Sequence, residues 1–162
     1  MLVQEQPLEI YAADPAQDMA YILACGRNAW LAVYGNDKNY NPEFFRSNTE
    51  SILRHRSGNI YIAHVCGSYA GIVILDSRVR EEPATGHISL LYIEAPLRGS
   101  GYGTQLIAYA ESVCKARGCR QMRLYVSKSN RHARRFYERN GYRRYGTQFY
   151  PLSGQLVLRK PL

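Results

Sequence analysis

The stretch GHISLLYIEAPLRGSGYGTQLIAYAESVCKARG, residues 86–118, decides the architecture. Its first part, Gly86–Glu94, is nearly all apolar, as a strand covered on both faces would be. Its last part, Thr104–Arg117, places Leu106, Ile107, Ala110, Val113 and Cys114 on one side of a helix, and Gly118 supplies the C-cap. Between them lies Arg98-Gly99-Ser100-Gly101-Tyr102-Gly103. A strand-to-helix loop leaves the first N–H groups of its helix without partners. Together with the positive end of the helix dipole they form an anion site. Glycines let the backbone approach phosphate oxygens, and Arg98 adds a charge-assisted donor. No Gly-Lys-Ser/Thr tripeptide follows, which excludes a Walker A loop, and Tyr102-Gly103 breaks the G-x-G-x-x-G dinucleotide spacing. Taken alone, the loop also fits a glycine-rich tight turn with no ligand.

Working outward, Met122–Ser127 reads as a strand and Asn130–Arg139 as a helix closed by Asn140-Gly141. Two strands follow, about Tyr142–Tyr150 and Gln155–Arg159. Upstream, residues 7–12 suit a first strand. Asp14-Pro15 caps a helix to Tyr34, on which Met19, Ile22, Leu23, Gly26, Trp30 and Val33 recur at helical spacing. Asn41-Pro42 starts a second helix to about Arg56. Ile60–Val65 and Tyr69–Ser77 form a hairpin through Cys66-Gly67-Ser68. The order β, α, α, β, β, β, α, β, α, β, β predicts one α/β (mixed α+β) domain over residues 1–162. Its sheet is mixed and mostly antiparallel, with helices on both faces.

Composition narrows the class. A chain of 162 residues with 46% hydrophobic content suits one soluble domain. No run is long enough to span a bilayer, and residues 1–10 lack the features of a secretory signal, so a cytoplasmic location is expected. Cys25, Cys66, Cys114 and Cys119 contain no C-x-x-C pair and read as buried small hydrophobes; no metal site is expected. The formal charge of +8 is uneven. Residues 1–97 hold 7 Lys/Arg and 11 Asp/Glu, and residues 98–162 hold 14 and 2. A basic half implies an anionic partner, either nucleic acid or a phosphate-rich cofactor. No aromatic-basic RNA signature or helix-turn-helix pattern supports nucleic acid.

Arg98-x-x-Gly101-x-Gly103 after a strand resembles the R/Q-x-x-G-x-G/A signature of the GNAT acetyltransferases. Asn130, Ala133, Tyr137, Gly141 and Tyr142 match that family's N-x-x-A-x-x-x-Y-x-x-x-G-[FY] helix. The specific likeness covers about Gly86–Tyr142; the rest agrees in layout. The resemblance implies a cytoplasmic acetyl-CoA-dependent N-acetyltransferase acting on a primary amine of a small molecule or peptide, by direct attack in a ternary complex. It implies pyrophosphate on the N–H groups of Gly99, Ser100, Gly101, Tyr102, Gly103 and Thr104, beside Arg98. It implies pantetheine in a splay between the Gly86–Glu94 and Met122–Ser127 strands, along Leu91, Tyr92 and Ile93, with Asn130 touching the arm. Asn130 equally suits an N-cap. Tyr137 would donate a hydrogen bond or proton to the leaving sulfur; otherwise it is a core tyrosine beside Phe136. The layout allows a homodimer.

The general base is less defined. The family's usual glutamate positions fall near His87 and Tyr125, neither a carboxylate. His87, Glu94 and a water chain stay open, with His87 and Glu94 on opposite strand faces by simple alternation. Trp30, Tyr34, Asp37 and Tyr40, with Tyr145, Gln148 and Tyr150, are expected around the acceptor. An acidic lip of Asp37, Glu43 and Glu94 favours a cationic amine, whereas Arg143 and Arg144 would grip a carboxylate. A non-catalytic acyl-CoA sensor and a basic nucleic-acid-binding module are the rival classes.

Overall fold

The computed structural model describes residues 6–55, 59–76, 82–148 and 154–162, with no side-chain detail for 146–148. In chain order the elements are β1 (Leu8–Ala12), α1 (Pro15–Tyr34), α2 (Pro42–His55), β2 (Ile60–Val65), β3 (Ser68–Leu75) and β4 (Thr85–Ile93). A short 3₁₀ turn at Ala95–Leu97 precedes α3 (Tyr102–Ala116), β5 (Gln121–Ser127), α4 (Arg131–Arg139), β6 (Arg143–Gln148) and β7 (Gln155–Pro161). The strands form one seven-stranded sheet in the order β1-β2-β3-β4-β5-β7-β6. Among the described residues only β4 and β5 pair in parallel, joined by the α3 crossover. The last strand inserts between β5 and β6.

Alternation along the strands feeds two cores. Ile60, Ile62, Ile72 and Ile74 point to one face, where Ile22 and Cys25 of α1 and Ile52 of α2 cover them. Tyr61, Ala63, Val73, Leu124, Val126, Leu156 and Leu158 point to the other, against Leu106, Ile107 and Ala110 of α3 and Tyr137 of α4. Each fully buried Ile or Leu contributes roughly 1.5–3 kcal/mol relative to exposure.

Local signals set the helix ends. Asp14 Oδ1 accepts the Ala16 N–H at 3.0 Å, and Gly35, at φ 71°, ends α1 in the left-handed region. Asp18 is buried and accepts from Tyr69 Oη at 2.8 Å and the Asp14 N–H at 2.8 Å, which ties α1 to the sheet.

Cys25 and Cys114 are buried as expected, but Cys66 is exposed and Cys119 half-buried. Two expectations about the elements also change. The helix after the glycine loop starts at Tyr102 rather than Thr104, because Gly101 itself serves as N-cap. Gly86–Glu94 is not covered throughout. Gly86, His87 and Ile88 are buried, but Ser89 is exposed and Leu90, Leu91 and Tyr92 are only half-buried. The expected strand and helix ends at Ser77, Tyr150 and Arg56 lie outside the described residues.

Candidate active site

The half-exposed part of β4 faces a gap. Pairing between β4 and β5 runs from Thr85↔Gln121 to Ile88↔Leu124 and stops. Beyond it β4 continues to Ile93 and β5 to Ser127. On its other edge β4 stays paired with β3 as far as Ile93↔Gly71. The result is a V-shaped cleft, closed at Ile88/Leu124 and open toward the glycine loop. Leu91, Tyr92 and Ile93 form one wall, and their β5-facing main chain can pair with an extended ligand.

The open end carries the loop. Gly99 has φ 80° and Gly101 φ 84°, values that favour glycine. A Cβ at either would meet nothing within 4 Å, so the ligand side is clear. Gly101 caps α3 without a side-chain hydrogen bond, and the first turn holds no acidic residue. Among the described residues, no N–H from Gly99 to Thr104 finds a backbone acceptor; the first to do so is Gln105, to Gly101 O at 3.1 Å. Unpaired N–H groups at a helix N-terminus can receive an anion. Gly103 serves differently. A Cβ there would lie 3.0 Å from the Phe136 ring, so this glycine lets α4 approach α3. Ser100 and Thr104 are exposed, and Tyr102 offers only its N–H because its ring is buried and its hydroxyl donates to Gln6 O at 3.2 Å. Arg98 donates from Nε to Ile93 O at 2.8 Å and lies over the Tyr92 ring, so its guanidinium is held at the strand end.

Asn130 caps α4, with Oδ1 accepting the Ala133 N–H at 3.1 Å. Its Nδ2 makes no hydrogen bond among the described residues. Tyr137, one turn on, is 9% exposed, and its ring meets Phe136 and Tyr142 edge-on. Its hydroxyl has no hydrogen-bond partner among the described residues. Burial raises its pKa to about 12. Tyr142, beside it, donates instead to Glu111 Oε1 at 3.0 Å, and Lys160 pairs with the same carboxylate.

His87 and Glu94 do not lie on opposite faces. Ser89 is an extra residue in β4: Ile74 pairs with Leu90 while Leu75 pairs with Ile88. This bulge resets the alternation. Ile88 belongs to the α3 core, but Leu90 packs with the α1/α2 core. His87 and Glu94 therefore share the α1/α2 face. Glu94 accepts from Tyr21 Oη of α1 at 2.9 Å. His87 is 6% exposed, and its Nδ1 accepts from Arg123 Nε at 3.4 Å. Burial first, then the Arg123 charge, lowers its pKa to about 4.

On this face α1 crosses β3 and β4 and brings its C-terminal half over the cleft. Asn28 Nδ2 donates to Tyr92 Oη at 3.4 Å. Trp30 packs on Tyr34 at 4.2 Å between ring centres and faces Tyr40 at 5.9 Å. Asp37 is bound to Arg27 at 2.6 Å, and this guanidinium holds its carboxyl below the usual range. Tyr145 is 69% exposed beneath Arg159. Arg143 donates to the Glu138 and Tyr142 carbonyls of its own chain turn. Tyr150 and the Gln148 side chain lie outside the described residues.

Sequence reasoning missed Arg123, Arg159 and Glu82. Arg123 donates from Nη1 to Glu82 Oε2, and Arg159 from Nη1 to Glu82 Oε1, both at 3.0 Å. The available signal was an arginine inside an apolar strand, Met122-Arg123-Leu124.

A sequence profile described as the Acetyltransferase (GNAT) family matches residues 23–142. The mycothiol acetyltransferase of Beutenbergia cavernae is 31% identical over 122 residues, 71% of this chain and 40% of that protein. The aminoalkylphosphonate N-acetyltransferase of Salmonella typhimurium is 27% identical over 135 residues, 82% of each. The chain spans 40%, 43% and 50% of the length of three of the curated relatives it matches. PaiA N-acetyltransferase from Thermoplasma acidophilum, solved in complex with coenzyme A, superposes with a TM-score of 0.74 at 20% identity, covering 96% of this chain and 99% of that one. A GNAT-family acetyltransferase from Staphylococcus aureus Mu50 gives a TM-score of 0.78 at 14% identity, over 96% and 99%. No helix of the described residues is long and apolar enough to cross a membrane. The profile covers well over half of the chain: the chain belongs to the GNAT acetyltransferase family.

Proposed function

We propose that this chain transfers an acetyl group from acetyl-CoA to a primary amine of a small molecule or peptide, by direct attack in a ternary complex within one domain spanning residues 1–162. The observation that carries the reading is an N–H cradle at the mouth of an unzipped β4–β5 edge, with an unengaged phenol on the adjoining helix. Acetyl-CoA supplies the activated thioester. Gly99 to Thr104 hold the pyrophosphate through their N–H groups, while Arg98 contributes its remaining donors. Leu91, Tyr92 and Ile93 bind the pantetheine amides as an added strand, and Asn130 reaches the arm through Nδ2. The acyl end then lies toward the closed end of the cleft.

Tyr137 donates to the departing sulfur. The phenol is protonated at neutral pH, as a donor requires, and burial raises its pKa further. The amine nitrogen forms the new bond to the acyl carbon, the C–S bond breaks, and the thiolate leaves as the thiol. The amine must first lose a proton. His87 offers no ready lone pair at Nδ1 and has a pKa of about 4, too low for a strong base. Glu94 lies on the same face but is five residues beyond the bulge, about 16 Å along a strand. We assign the proton to water on this face, with His87 and Glu94 flanking its path. The name of the Salmonella relative supports transfer to nitrogen.

A thiol-release assay over small amines, Nα-peptides and lysine peptides tests the reading. Turnover with at least one amine class is the expected result. Acetyl-CoA binding without turnover across the panel would instead favour the sensor, and oligonucleotide binding without acetyl-CoA binding would favour the nucleic-acid module.

A further inference from the structure

The rung at the closed end of the cleft breaks a local rule. His87, Arg123 and Arg159 are register partners on β4, β5 and β7, and all three point to the α1/α2 face. Two arginines directly opposite each other repel, and a strand face does not require charge. Val157, two residues from Arg159 on the same face, is apolar and buried. Such conflicts concentrate where function needs them.

Glu82 bridges the two guanidinium groups, one oxygen to each. That contact uses one of Arg159's five N–H donors. Arg159 Nε is buried and has no acceptor among the described residues. The Tyr145 ring lies 4.0 Å from Arg159 Cζ and holds the guanidinium from the other side. The Arg123 side chain is 4% exposed, Arg159 16% and Glu82 37%, so the cluster opens to solvent along Arg159 and Glu82. Asp76 is buried, and its charge reaches His87. The rung stands one residue below the last β4–β5 pair, Ile88↔Leu124, and so borders the acyl end of the cleft.

We propose that this rung is a subsite for an oxyanion on the acceptor: the amine carries a carboxylate, phosphate or phosphonate group that pairs with Arg159, backed by Arg123. The inference rests on reading the cleft as the acyl-transfer site. A planar guanidinium presents paired donors that match such oxyanions. Glu82 holds the forks in place and competes with the incoming anion. Of the acidic lip expected to draw a cationic acceptor, Asp37 is paired with Arg27 and Glu94 accepts from Tyr21, while Glu43 is exposed.

The test uses matched amines: β-alanine against β-alaninamide, and 2-aminoethylphosphonate against ethanolamine. Thiol release is measured for the parent protein, Arg159→Gln and Glu82→Gln. The parent should favour the anionic member of a pair by at least tenfold in kcat/KM, and the two pairs separate carboxylate from phosphonate. Arg159→Gln should remove the preference through KM, with the neutral amine and acetyl-CoA affinity unchanged. Glu82→Gln should move the preference the other way. Equal turnover of both members, or an Arg159→Gln loss shared by both, overturns the subsite. A thermal-shift titration of the CoA-loaded protein reads the same pairs without chemistry. Stabilisation by the anionic member, lost in Arg159→Gln, supports the subsite even if no amine is acetylated, whereas its absence overturns the subsite and leaves acyl transfer standing.

Discussion

Both ends of the β4–β5 cleft are basic, yet they are built in opposite ways. At the open end the candidate anion site is main chain: the N–H groups of Gly99 to Thr104 find no backbone acceptor among the described residues, and the single arginine is tied to Ile93 O. At the closed end it is side chain: Arg123, Arg159, His87 and Glu82 come from three strands and a loop. A backbone site tolerates many side chains but few backbone angles. A side-chain site has the reverse sensitivity. The first suits a ligand shared across a family, and the second suits one that varies between members.

The largest effect should come from breaking the backbone end. Gly101→Glu places a carboxylate at the N-cap and forces a non-glycine residue to φ 84°. The strain is about 1–2 kcal/mol, which a folded domain survives, and the added Cβ has open space. Acetyl-CoA binding, followed by isothermal titration, should be lost. Retained affinity would show that the phosphates sit elsewhere.

Two neighbouring tyrosines sharpen the comparison next. Tyr137 has a hydroxyl with no partner among the described residues, whereas Tyr142 donates to Glu111. Tyr137→Phe should lower kcat about 10²-fold with Tm and acetyl-CoA affinity unchanged, if the phenol is the general acid. Tyr142→Phe should cost about 1 kcal/mol of stability and leave kcat alone. Equal kinetic losses in the two variants would remove Tyr137 from the chemistry.

The closed end can be probed by its pH dependence. His87 has a folded pKa of about 4 against an ordinary 6.5. Above pH 6.5 it is neutral in both states and adds no slope. Between 6.5 and 4 the unfolded chain takes up a proton that the folded protein refuses, so stability falls as the pH drops. Below 4 both states are protonated and the loss levels off, at roughly 3 kcal/mol. Denaturant melts of the parent and His87→Gln across this window should differ in slope. Identical slopes would mean that His87 is not held neutral by its surroundings.

Most of the fold was legible because its signals are local. Asp14-Pro15, Gly35 and Gly118 mark helix ends by backbone preference, and α1 runs from Pro15 to Tyr34 as its periodicity requires. The glycine loop was legible for the same reason, since a helix N-terminus and its glycines are contiguous. The acceptor side was not. Counting by twos along β4 put His87 and Glu94 on opposite faces, and one inserted residue, Ser89, reversed that. Nothing in the composition of a serine announces a bulge; it arises from pairing with β3. Charge counting failed similarly at Asp37, which sits on the acidic half yet is neutralised by Arg27.

By itself the chain determined its element order, the strand–glycine loop–helix unit and the capped helix bearing Tyr137, because caps, turns and amphipathic faces depend on neighbours within a few residues. Tertiary structure alone decided that β4 and β5 part after Ile88 and Leu124, that Gly103 exists for Phe136, and that Arg123 and Arg159 meet across a strand pair 36 residues apart in sequence. Those outcomes follow from register and strand order, and register is set by the packing of the whole sheet rather than by any one segment.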